Sequence, residues 1–223
     1  PVFNHRVYVD TVGPFRPSST APTGERAQHY ISLLDALTRY TLLIPTAQID
    51  AKSVAEKIVT NWCLVFGAPT YLHSDNGTSF TSQLFREVMK LMGVRHTTTP
   101  TYSPEGNRVE RVHRMVGELI RARVADSPHT WATHLPYVQH AINCTVSRAT
   151  GMTPYEAVYG RRPRLPIDAI FPLDDLRTAE TETADQVQAN IRKAYESIVA
   201  HEKALYPAED QPPPRASPFH EGD

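Results

Sequence analysis

Cysteine is scarce in this chain: two in 223 residues, Cys63 and Cys144, far apart and in no Cys-x-x-Cys pair. That excludes a disulfide scaffold and a cysteine-based zinc module, and it fits a reducing compartment. An excess of either charge is also missing. With a formal charge of −1, the chain as a whole is no basic polyanion binder, so any DNA contact has to be local. No apolar run approaches the length of a membrane span and no signal-peptide pattern opens the chain, so no membrane role is expected. His5, His29, His73 and His96 are scattered without zinc-ligand spacing and read as packed or solvated side chains. The start at Pro1 and the close on "FHEGD" lead us to expect an excised fragment running into a truncated next domain.

What is present suffices for one sizeable core with an appendage: 40% of the residues are hydrophobic. "RVYVDTV" (6–12) alternates like a half-buried strand, and the Gly-, Pro- and Ser-rich stretch after it is a loop. "HYISLLDALTRY" and "TLLIPTA" predict two more strands. The run "DAKSVAEKIVTNWCLVFG" predicts a helix burying Val54, Ile58, Trp62 and Val65. A strand ending at "YLHSD" follows, then a helix presenting Leu84, Phe85, Val88 and Leu91, then the strand-like "VRHTTTPTY". From Arg108 onward the pattern is helical, with breaks near Ser127-Pro128 and "SRATGMTP". Val187, Ile191 and Ile198 mark a narrow stripe on a later helix, and "YPAEDQPPPRASP" is expected to be extended. The sum is a mixed α/β layer architecture.

Three acids stand where strands end or a helix begins: Asp10, Asp75 and Glu110. Singly, each has an ordinary explanation: a strand surface residue, an Asx-turn with Asn76-Gly77, and a charge favoured by the helix dipole. Together they supply what hard cations need, carboxylates from separate elements with positions left open for phosphate and water. Asn76-Gly77 permits a sharp turn behind Asp75. Glu110 shares a helical face with Arg114, while Val109, Val112, Val116, Leu119 and Ile120 mark the buried side. Arg108, Arg111 and Arg114, with His113, form a cationic cluster suited to phosphate contact, and Arg161, Arg162 and Arg164 form a second. Asp35 reads as a turn or hydrogen-bonding residue. Trp62 and Trp131 read as core or subunit-interface anchors.

"HSDNGTSF", "YSPEGNRVERVHR" and "TPYEAVYGRRPRLP", in that order and after an Asp in "VDTVGP", resemble the retroviral and gypsy-type retrotransposon integrase catalytic core from about Val7 to Pro166. The resemblance implies a ribonuclease H-like fold: a mixed five-stranded sheet flanked by helices, with a C-terminal helical extension. It divides the chain into a core at 1–170, an acidic linker and helix at 171–206, and a Pro-rich linker at 207–223 running into a further domain.

It also implies that Asp10, Asp75 and Glu110 are the catalytic, metal-binding triad, holding two Mg²⁺ or Mn²⁺ ions. Water or a DNA 3′-hydroxyl then attacks phosphorus, first trimming the element's ends and then joining them to host DNA. Asn107, Arg108, Arg111 and Arg114 are the expected DNA contacts, Ser103 could position the end, and Tyr102 could stack on a base. The implied partners are retroelement DNA ends, target DNA and further copies of the chain as a dimer or tetramer, with no small-molecule substrate. The implied place of action is the nucleus, after a cytoplasmic particle. Asp75 and Glu110 enclose 34 residues, one fewer than the family's commonest spacing, and "Asn-Arg-Val-Glu" stands where many relatives have Asn-Gly-x-Val-Glu. Glu105 in the same loop is a rival third ligand, although a carboxylate on a helix is held more rigidly. Two alternatives accompany this reading: a domesticated, inactive DNA- or protein-binding module, and a nuclease that never joins strands.

Overall fold

The computed structural model describes residues 2–19, 26–98, 106–124, 127–165 and 183–205. Five strands, β1 (Arg6–Val12), β2 (His29–Asp35), β3 (Thr41–Thr46), β4 (Tyr71–Ser74) and β5 (Arg95–Thr98), form one sheet in the order β3-β2-β1-β4-β5. The β1/β2 and β2/β3 pairs are antiparallel and the β1/β4 and β4/β5 pairs parallel, so the sheet is mixed as expected. The flanking β2 is buried on both faces, so its sequence reads as a nearly continuous apolar run, whereas in β1 burial on both faces is confined to Val7, Tyr8 and Val9.

One face lies under α1 (Ala51–Ile58), α3 (Thr78–Thr81) and α4 (Gln83–Leu91). Val54, Ile58, Phe80, Phe85 and Met89 pack there on Val7, Val9, Ile31, Leu33 and Leu72. The helix α1 begins where the Asp50 carboxylate accepts hydrogen bonds from the Lys52 and Ser53 N–H groups. It does not run on as predicted. A π-helical turn (Val59–Cys63) leads into α2 (Leu64–Phe66), and the extra residue in that turn shifts the phase of all that follows. Trp62 stays fully buried and donates Nε1–H to Asn4 Oδ1 at 2.8 Å, but Val65, expected inside, is 63% exposed. The stripe expected on α4 is also rotated. Leu84 and Leu91 are exposed, while Phe85 and Met89 are buried with Val88 and Met92 packed beside them. Two apolar stripes compete on that helix, and the one carrying both methionines, which adapt to irregular gaps, faces the sheet.

Over β2 and β3 the other face lies under α5 (Gly106–Arg123) and α6 (Trp131–Cys144). Val116, Ile120, Trp131, Leu135 and Val138 pack there against Tyr30 and Leu43. Leu119, expected inside, sits at the rim and is exposed. Both tryptophans are core residues, Trp131 donating Nε1–H to the Arg16 carbonyl at 2.9 Å. The edge of β3 is closed by side-chain amides. Asn143 exchanges two hydrogen bonds with the Thr41 backbone (2.9 and 2.8 Å), and Gln139, one turn earlier, accepts from Leu43 N–H at 2.8 Å.

Asp35 ends β2 as a turn residue, as read from the sequence: its buried carboxylate accepts from Thr38 N–H (2.8 Å), Thr38 O–H (2.7 Å), Leu37 N–H (3.2 Å) and Asn4 N–H (3.0 Å). After α7 (Pro154–Tyr159), held by a Thr153–Glu156 capping box, Gly160 turns the chain at φ 67°. A Cβ there would lie 2.8 Å from both Ile191 Cγ1 and the Val187 carbonyl of α8 (Ala184–Leu205), so glycine is what lets α8 settle on this turn. Ile198 of α8 packs with Leu37 and Ala157, and Val187 and Ile191 are half-buried on the expected stripe. The acidic segment before α8 and the Pro-rich stretch after it lie outside the described residues.

Candidate active site

Asp10 and Asp75 come together because their strands are parallel neighbours. Asp10 is on β1 and Asp75 immediately follows β4, in the direction that both strands run. Side chains at 6, 8 and 10 on β1 and at 71, 73 and 75 on β4 share one face of the sheet. The Asp75 carboxylate folds back on its own turn, Oδ1 accepting from Gly77 N–H at 2.9 Å. Gly77 has φ −56°, open to any residue, so the turn does not need glycine for its dihedrals. It needs the space: a Cβ at Gly77 would lie 2.9 Å from that same oxygen.

Asp10 Oδ1 accepts from Thr11 N–H at 2.7 Å, and Oδ2 lies 3.5 Å from His113 Nδ1. His113 Nε2 is 2.6 Å from the Ser32 hydroxyl on β2. Burial holds the imidazole down to about 4, so it is neutral at pH 7. One neutral tautomer satisfies both neighbours, with Nδ1–H toward the Asp10 carboxylate and Nε2 accepting from Ser32. This corrects the sequence reading of His113 as part of a DNA-facing cation cluster: it is an uncharged support of Asp10. Burial pushes the Asp10 carboxyl up to about 6, against the Thr11 N–H, and the Asp75 charge pushes the same way. Burial and the Asp10 charge together raise the Tyr30 hydroxyl beside them. Two carboxylates thus face each other with no cation described between them, and this like-charge pair of hard oxygens suits a divalent ion.

Glu110 stands on α5 one turn before His113, on the face that meets β1, and its side chain is exposed, as are those of Arg111 and Arg114. Among the described residues no three His, Cys, Asp or Glu side chains converge closely enough to hold a metal by themselves. The structure therefore brings two of the three expected acids together and places the third on the adjoining helix. The side chains of Asn107 and Arg108, and all of Tyr102, Ser103 and Glu105, lie outside the described residues. Of the second arginine cluster, Arg161 and Arg162 line a cleft with Asn190 and Lys193 of α8, and Arg162 Nε is bonded to Glu156 at 3.1 Å. Ser32, Tyr30 and the supporting role of His113 escaped the sequence reading. The one available signal was that His113 follows Glu110 by three residues.

The burial of Asp10 makes a signed prediction. A carboxyl whose folded value exceeds its unfolded value near 3.8 costs stability once ionised. The cost is absent below about pH 4, develops between pH 4 and 6, and is complete above. Two units are at most about 3 kcal/mol, and with 31% of the side chain exposed, screening leaves about 1–2 kcal/mol. Asp10→Asn without metal is therefore expected to melt a few degrees higher at pH 7.5, and the gain should vanish at pH 4. An equal gain at both values would remove the electrostatic explanation.

Residues 4–104 match the model of the integrase core domain, a span that includes Asp10 and Asp75 and stops short of Glu110. The chain is 29% identical over 211 residues to the retrovirus-related Pol polyprotein from transposon 412 of Drosophila melanogaster, covering 90% of this chain but 17% of that polyprotein. Among solved structures, the simian T-cell lymphotropic virus intasome in complex with the PP2A regulatory subunit B56 gamma matches with a TM-score of 0.60 at 20% identity, over 74% of this chain and 57% of that one. The HTLV-2 integrase catalytic core domain in complex with magnesium matches with a TM-score of 0.54 at 17% identity, over 70% and 96% of the two chains.

Proposed function

Since this chain belongs to the retroviral and gypsy-type integrase catalytic cores, with their ribonuclease H-like fold, we propose that it trims the 3′ ends of retroelement DNA and joins them to a host duplex. The observation that carries this reading is the Asp10–Asp75 pair, two carboxylates aligned by parallel strands, each raising the cost of the other's charge. Asp10, Asp75 and Glu110 would hold Mg²⁺ or Mn²⁺, whose chemistry when bound is to stabilise charge on the attacking and leaving oxygens of an in-line displacement.

The chain's own groups set the stage for it. Thr11 N–H and neutral His113 fix the Asp10 carboxylate, and Gly77 N–H fixes that of Asp75. Arg111 and Arg114 stand exposed on the helix beside them, where cations attract phosphates and supply most of the affinity for DNA. We place this activity in the nucleus and in a dimer or tetramer, the core ending near residue 170.

The test is joining of a labelled, pre-trimmed DNA end to a target duplex in Mg²⁺ or Mn²⁺, using the chain with its native flanking sequence. Joining that Asp75→Asn abolishes supports strand transfer. Cleavage without joining turns the proposal to a nuclease. A second reading, a binding module without catalysis, draws on the separation of Glu110 from the paired acids; a well-folded protein that binds DNA but joins and cuts nothing would install it.

A further inference from the structure

The sheet face that carries the two acids is covered unevenly. Over β2 and β3 it is sealed by α5 and α6, but over β4 and β5 it leaves Tyr71 and His73 half-buried and Arg95 and Thr97 exposed. Register arranges these side chains in rungs: Arg6, Tyr71 and Arg95, then Tyr8, His73 and Thr97, then the acids. In the first rung the guanidinium carbons of Arg6 and Arg95 lie 5.9 and 5.7 Å from the Tyr71 ring centre, and Arg95 donates to the Tyr71 hydroxyl at 3.2 Å. In the second, His73 Nδ1 and Thr97 Oγ1 are 2.8 Å apart.

Around the edge of β5 the surface turns into a cleft of about 550 Å³ whose lining includes Arg86, Lys90, Arg95 and His96 and, among the described residues, no carboxylate. Among the described residues, none of Arg86, Lys90 and Arg95 has a carboxylate ion-pair partner. In a chain of formal charge −1 this is a segregated basic edge, the local concentration of positive charge that a polyanion needs.

Its distance from the chemistry is set by the sheet. Four residues of extended chain separate Tyr71 from Asp75, about 13 Å at ~3.3 Å each. A DNA strand advances ~3.4 Å per nucleotide along its axis, so the two places are about four nucleotides apart. We propose that this basic edge, centred on Arg95, is a second DNA contact that holds the strand's phosphates about four nucleotides from the one at the acids. The proposal rests on the reading above that the site acts on DNA. It adds a track along β4 and β5, separate from the arginines of α5.

The test is binding of a labelled duplex, without divalent ions, by the chain and its Arg86→Ala/Lys90→Ala/Arg95→Ala variant over a series of salt concentrations. The slope of log Kd against log salt is expected to flatten by about 0.9 for each cation removed. Arg192→Ala/Lys193→Ala/Lys203→Ala on α8, an equal loss of charge elsewhere, is expected to leave it nearly unchanged. Arg86→Ala/Lys90→Ala keeps the Arg95–Tyr71 contact and should give two thirds of the effect, which guards against a folding artefact. Shortening the duplex to fewer than four nucleotides on one side of the reacting phosphate should erase the difference between chain and variant. Doing so separately on the donor end and on the target tells which DNA occupies the edge. If the chain binds and joins DNA but the triple variant keeps its slope, the edge proposal falls while the integrase reading stands. If the chain binds no DNA, both fall.

Discussion

Glu110→Gln is expected to lower joining by at least about 10³-fold while leaving the melting temperature within a degree or two, and Glu105→Gln is expected to change neither. The magnitude follows from the role proposed for it: a carboxylate that holds a catalytic cation stabilises charge formed only in the transition state, and losing such an interaction costs about 4 kcal/mol or more of barrier. The stability forecast follows from position, since Glu110 is exposed and has no described bond that its amide would break. Both variants should be assayed side by side in Mg²⁺ and in Mn²⁺. A thousandfold loss in Glu105→Gln with Glu110→Gln active would move the third ligand from Glu110 to Glu105. Loss in both would mean that joining needs both carboxylates.

Asp35→Ala is expected to cost about 3–5 kcal/mol, enough to unfold a marginal domain, although the proposed function gives Asp35 no part in the chemistry. Its buried carboxylate gathers four donors, from Asn4, Leu37 and twice from Thr38. Each buried donor left unsatisfied costs about 1–3 kcal/mol, with some relaxation toward water. The charge itself is no asset, because burial outweighs all four donors and raises the carboxyl above its ordinary value. Asp35→Asn separates the two effects. Its remaining oxygen can keep the three bonds made by Oδ1, only the Asn4 N–H meets a donor instead, and the expected cost is about 1–2 kcal/mol. Equal losses for Ala and Asn in urea unfolding would show that the charge, not the hydrogen bonds, matters there.

Much of this molecule could be read from residue patterns. Strand alternation in "RVYVDTV" and the breaks at Gly and Pro predicted elements that the structure contains, and "HSDNGTSF" marked the turn at Asp75. Three things were not legible, each for a physical reason. The π-helical turn at Val59–Cys63 leaves no periodic trace, because "NWCLVF" offers an apolar residue in either phase and only contact with Phe3 and Tyr40 decides which is buried. The stripe on α4 was ambiguous in the same way. His113 looked cationic because it sits among arginines, whereas its charge is set by burial beside Ser32 and Tyr30, residues some eighty positions away that come near it only through the fold. The Asp75 turn was legible, but not the reason for its glycine: the carboxylate needs the room that a side chain would fill.

The parallel pairing of β1 with β4 has a kinetic consequence. It joins positions as distant as Arg6 and Tyr71, a separation of 71 − 6 = 65 residues, whereas the β1–β2–β3 meander closes through much shorter loops. Contacts across long loops form late, because the entropy of closing the loop has to be lost before the contact rewards it. Asp10 can take its place with the early meander, but Asp75 meets it only when β4 docks. The two like charges are therefore brought together only after the meander has formed, and ahead of still longer closures such as that of Thr41 with Asn143, 102 residues apart.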